Sequence, residues 1–178
     1  MSNDLDIKIA GDKPSEDVRR NKNLATGDES ITPQQIKSAK AVGKMVADSF
    51  IADAETPVDE EFRDFDMILQ RRLLLSFTAT VGFEQYIEND TLVGIAQKSF
   101  LDTLTKHNSE LYKTSSDTGA FSFYYLAFRR GSEIDRRIGQ TFAMLCSHDG
   151  DPIFQELGEA LYCWFSSVVR KAVAECLK

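Results

Sequence analysis

Four arginines fall within nine residues of an otherwise acidic chain: Arg129, Arg130, Arg136 and Arg137 bracket Gly131 and Ser132. Guanidinium groups make forked, charge-assisted hydrogen bonds to phosphate or carboxylate, and a helix capped by Ser132 would aim free backbone N–H groups at the same anion. Arg129, Arg130, Ser132, Arg136 and Arg137 are therefore the candidate anion-binding residues, with Tyr124, Tyr125 and His148 as neighbours that would complete a pocket. The plainer account of this segment is an ion-paired, solvated face. Glu133 stands three and four residues before Arg136 and Arg137, where opposite charges meet on a helix.

Other chemistry finds less support in the spacing. His107 followed by the His148-Asp149 doublet resembles part of the metal set of the HD phosphohydrolases, but that set needs a further aspartate downstream and no Asp follows Asp151. His107 lies on the inward stripe of a helix, where a hydrogen-bonded core histidine is the expectation. Magnesium held by all-α pyrophosphohydrolases needs an ExxE pair followed by ExxD, because the hard ion takes several oxygens from one side. Here Glu61 and Asp64 come early and Glu156 and Glu159 late, the wrong order. A diiron bundle needs Glu-x-x-His twice, which is absent. Cys146 and His148 are two apart and do not face each other on a helix. Neither a P-loop nor a Rossmann glycine pattern occurs. No metal ligands, no cofactor and no catalytic set are expected.

Composition narrows the remaining classes. The 178 residues carry a net charge of −7 and are 42% hydrophobic, with twelve phenylalanines. That is enough for a core, and the acidity argues against a nucleic-acid partner or a polybasic membrane anchor. Three cysteines (Cys146, Cys163 and Cys176) without a CxxC pair suggest reduced structural thiols, with Cys163 and Cys176 in a helical core pattern. The start of the chain lacks the basic and apolar regions of a signal peptide, and no apolar run spans a bilayer, so the expected location is cytoplasmic.

Periodicity supplies the elements that would position these residues. Residues 1–30 are polar and charged, with a brief alternation at Leu5, Ile7 and Ile9; the composition predicts a flexible arm. Thr32-Pro33 then starts a helix carrying Ile36, Ala39, Gly43, Val46 and Phe50 inward. Thr56-Pro57 repeats that start before acidic residues and a stripe from Phe62 and Phe65 to Ile87, weakest at residues 78–82. A third helix, capped by Asp90, runs to Leu111, and residues 113–117 read as a loop. The 121–128 segment is apolar almost all round and reads as a buried helix. Ser132 would cap a fifth helix and Asp151-Pro152 the last. Gly43, Gly82, Gly94, Gly139 and Gly158 interrupt good helices, as close helix–helix crossings require.

The expected fold is all-α: a compact bundle of about six helices forming a single domain at 31–178, preceded by the arm at 1–30. The expected function is a non-catalytic interaction or regulatory module whose partner is another protein or itself as a homo-oligomer, with neither nucleic acid nor membrane. The alternative is a small enzyme or sensor that takes an anionic, phosphorylated metabolite at the 129–137 segment.

Overall fold

A computed structural model describes residues 31–57 and 65–177 of the chain. The expected arm and the acidic first turn of the second helix with Phe62 lie outside those residues. Among the described residues seven α-helices follow one another: α1 (Pro33–Glu55), α2 (Phe65–Tyr86), α3 (Asp90–His107), α4 (Ser109–Ser116), α5 (Ser122–Phe128), α6 (Ile134–Leu145) and α7 (Pro152–Cys176). A 3-10 turn, Thr118–Phe121, leads into α5. Among the described residues there is no strand.

The helix starts follow from capping chemistry. The Thr32 hydroxyl accepts from the Gln35 N–H while the Gln35 side chain accepts from the Thr32 N–H, a reciprocal capping box with Pro33 in the first turn. At α7, Asp151 accepts from the Ile153 N–H at 2.9 Å, again ahead of a proline. Two caps differ from expectation. Asn89 rather than Asp90 caps α3, accepting from Thr91 and Leu92. α6 has no side-chain cap; Gly131 and Glu133 both take positive φ, so the chain turns sharply before entering the helix at Ile134.

One helix more than expected arises at Asn108. Its N–H bonds the Leu104 carbonyl to close α3, and its side chain accepts from the Glu110 N–H to open α4. The inward stripe of α3 therefore ends at Leu104, and residues 109–116 fold back as a separate short helix. His107, the last residue of α3, is accordingly exposed rather than in the core, and its Nε2 meets Glu55 at 2.7 Å.

α2 sits at the centre and packs against α1, α3, α4, α6 and α7. It stays helical through Thr78–Val81, and the Thr78 and Thr80 hydroxyls find partners by donating back to the carbonyls of Leu74 and Ser76. Two aromatic groups fill the core around it. Phe50 meets Phe100 and Phe165 edge-on, and Phe77 is ringed by Phe121, Tyr124, Tyr125 and Phe128. A bidentate pair from Arg71 to the nearly buried Asp53 ties α2 to α1.

Glycines set the closest crossings. A Cβ on Gly43 would strike the Ala96 carbonyl of α3, one on Gly139 the Gln155 carbonyl of α7, and one on Gly158 the Phe142 ring, whereas Gly94 faces open space. Urea unfolding should therefore separate two identical substitutions. Gly43→Ala is expected to lose about 1–3 kcal/mol through overpacking against backbone. Gly94→Ala should gain about 0.5–1 kcal/mol, because only the helix preference changes. Equal effects at the two sites would contradict the α1–α3 contact.

Candidate functional site

The 129–137 segment runs from the end of α5 into the first turn of α6, and its arginines differ in exposure and partners. Arg129, Arg130 and Arg136 are exposed. Arg136 lies 3.5 Å from Glu133, the expected i,i+3 pair. Arg137 is half-buried; it donates to Ser132 at 3.3 Å instead of pairing with Glu133, and its Nη1 is buried without a partner. Ser132 thus accepts from a guanidinium rather than capping a helix.

The three companions of the arginines are dispersed. Tyr124 is fully buried, stacked on Phe77, with its hydroxyl 3.4 Å from Gln70. Burial, with Cys146 adding to it, pushes its phenol well above the usual range. Tyr125 is half-buried and edge-on to Phe77; burial and Glu84 raise its pKa, and Arg129 opposes them. His148 stacks flat on Phe154 with ring centroids 3.7 Å apart and lies 3.9 Å from Asp151. Among the described residues no hydrogen bond or ring contact joins His148 to either tyrosine.

A cleft of about 370 Å³ opens beside the segment, but none of the four arginines lines it. Its walls are Tyr86, Asp135, Tyr162, Cys163, Ser166 and Arg170, with Tyr86 and Ser166 joined through their hydroxyls at 2.9 Å. Burial, then Tyr86, Cys163 and Asp135, push the Tyr162 phenol up to about 12. Burial, then Asp135 and Glu159, also raise the Cys163 thiol, so it is a poor nucleophile at neutral pH. Cys163 is exposed rather than a core residue, Cys176 is half-buried, and Cys146 is buried at the end of α6.

Two surfaces stand out that residue spacing alone did not reveal. The first is a groove of about 710 Å³ between α1 and α3, rimmed by Lys40, Lys44, Lys98 and Lys106 over a floor that includes Ile36 and Ile95. The sequence shows Lys40 and Lys44 one turn apart, but nothing in it says that α1 lies against α3. The second is the outer face of α7. Ile153, Leu157, Ala160, Trp164 and Val168 recur every three or four residues on a line beside the buried Leu161, Phe165 and Val169, about a quarter turn around the helix, with Leu157 and Val168 half-buried. Ile153 is 61% exposed and Trp164 43%. Spacing alone puts Ile153, Leu157, Leu161, Trp164, Phe165, Val168 and Ala172 on one stripe; in the fold that stripe is split between two faces of one long helix.

Among the described residues no three His, Cys, Asp or Glu side chains stand together as a metal site, and no helix is long and apolar enough to cross a membrane. Compared with protein-family models, curated proteins and solved structures, the chain matches none.

The raised Tyr162 pKa has a consequence for alkaline stability. Unfolded tyrosine ionises near pH ~10, whereas folded Tyr162 holds its proton to about 12. Its contribution is therefore fully present below pH ~10 and is lost as pH rises through the folded value. Urea midpoints should fall across that window and fall less steeply in Tyr162→Phe. Parallel slopes in the two proteins would show that Tyr162 ionises freely in the fold.

Proposed function

We propose that this chain is a non-catalytic helical interaction module that self-associates through the outer face of α7. The observation that carries the reading is the apolar seam from Ile153 to Val168. An ordinary surface helix keeps one apolar stripe for its core and a polar one for water. α7 has the core stripe and a second apolar line beside it, with a tryptophan, the residue type most enriched among dominant interface contacts. The seam stops at Lys171, which lies 3.9 Å from Glu175.

The spacing suits a two-fold arrangement. An antiparallel pair centred near Ala160 sets Leu157 against the partner's Trp164 and Ile153 against the partner's Val168, with a small side chain at the closest point. The seam is about 24 Å long at 1.5 Å per residue. One helix pair of that length buries less than the roughly 1,200 Å² typical of stable complexes, so the association is weak and concentration-dependent. Phe123 and Leu126 of α5, 53% and 60% exposed, offer further apolar area. The apolar stretch of α2 from Leu73 to Ala79 plays no part, since other helices of the same chain cover it.

Light scattering over a dilution series should show a dimer that dissociates on dilution. Trp164→Glu should be monomeric throughout with an unchanged helical circular dichroism spectrum. A wild-type chain that stays monomeric at the highest concentration would end the reading.

A second reading, a sensor of a phosphorylated metabolite at the 129–137 segment, rests on the unused Nη1 donor of Arg137. An anion seated there stabilises the folded state by mass action, so millimolar phosphate should raise the thermal midpoint. The gain should shrink with NaCl and vanish in Arg130→Gln/Arg137→Gln. A midpoint indifferent to phosphate, nucleotides and sugar phosphates removes this reading and leaves the first intact.

A further inference from the structure

We propose that the groove between α1 and α3 receives an acidic amphipathic helix from a partner protein. Its rims carry Lys40 and Lys44 on α1 and Lys98 and Lys106 on α3, and the only acid in its lining is Asp102. Four lysines and one aspartate leave three net positive charges at this place, in a chain whose total is −7. None of the four lysines has an ion pair among the described residues, whereas Lys113 and Lys171 each lie against a glutamate. A cluster of unneutralised ammonium groups repels itself, and carboxylates from outside relieve that repulsion.

The floor specifies more than charge. Ile36 and Ile95 are half-buried and face the opening. The polar floor groups are already satisfied: the Ser99 hydroxyl donates to the Lys40 carbonyl at 2.8 Å, and the Thr103 hydroxyl to the Ser99 carbonyl at 2.8 Å. An occupant therefore gains by presenting an apolar stripe between two acidic flanks. The groove is also preformed, because Gly43 brings the α1 backbone against Ala96, so little ordering is needed on binding. From Ile95 to Lys106 the α3 wall is about 16 Å long, matching about three turns of a helix laid along it.

Other occupants fit less well. A small phosphorylated ligand wants forked or fixed N–H donors, and this groove offers flexible point charges without an arginine. A duplex would meet one short basic strip and then the acidic remainder of the chain.

The test uses the full-length protein and a fluorescein-labelled synthetic helix of about four turns, with glutamates at i,i+4 on both flanks of an Ile/Leu stripe. Fluorescence anisotropy should show saturable binding that weakens about tenfold between about 50 and 250 mM NaCl. Amide shift changes should concentrate in residues 36–44 and 95–106. Lys40→Gln/Lys98→Gln should weaken binding about tenfold, whereas Lys113→Gln/Lys171→Gln, with the same change in net charge, should not. Circular dichroism melts confirm that both variants fold. The proposal is overturned by absence of saturable binding, by equal weakening in the two variants, by shift changes elsewhere, or by tighter binding of a DNA duplex than of the peptide.

Discussion

From Leu73 to Ala79 the second helix has no solvent face: every residue in that stretch is buried, Ser76 and Thr78 included. A helix without a polar side needs neighbours all round, and the chain supplies them in α1, α3, α4, α6 and α7. Its hydroxyls are accommodated within the protein. Thr78 bonds to its own helix at 2.7 Å, and Ser76 meets Ser115 of α4 at 2.8 Å, so that short helix holds a buried polar group that would otherwise go unpaired. Removing any one neighbour would expose apolar surface of α2, and this makes the bundle a single arrangement rather than a set of helix pairs.

Every other helix has one face committed to that centre, and the glycine crossings decide how much of the remainder reaches solvent. Gly139 draws α6 so close to α7 that their backbones nearly touch, Gly158 makes room for the Phe142 side chain, and Gly82 lets the Val169 side chain of α7 lie against the α2 backbone. α7 is thereby held from two sides, leaving Ile153 and Trp164 outward. At Gly43 the α1 and α3 backbones approach each other, and the side chains flanking that contact splay into the lysine-rimmed groove. The two surfaces thus have a common origin: outer faces of helices fixed by their inner ones.

Much of this was legible in the sequence, where local chemistry and global packing agree. Thr32-Pro33 and Asp151-Pro152 start helices because each cap satisfies N–H groups whatever surrounds it. The glycines pointed to close crossings, and four of the five make them; Gly94, in open space, shows that the residue type alone does not. Legibility ended where one residue had two roles or where partners lay far apart in sequence. Asn108 ends one helix and begins the next, so a single apolar stripe concealed two elements. Tyr124 looked like a pocket residue by proximity to the arginines, yet helical geometry turns it into the Phe77 cluster while Phe123 points out. The bidentate Asp53–Arg71 pair spans eighteen residues and two helices, beyond the reach of any spacing rule.

Charge shows the same division more sharply. The arginines drew attention because they are clustered in sequence, but two of the four meet a partner close by in the chain: Glu133 beside Arg136 and Ser132 beside Arg137. A guanidinium fork is readily satisfied within its own turn or by one facing carboxylate, so clustering along the chain favours internal neutralisation. The lysines of α1 and α3 are spread over residues 40–106 and look unremarkable in the sequence. They converge only because two helices separated by α2 lie side by side, and no acid of the described residues has followed them to that rim except Asp102. A net charge of −7 therefore says little about any one face of this protein. Electrostatic recognition depends on which charges the fold leaves uncompensated, and here those include cations assembled by tertiary packing.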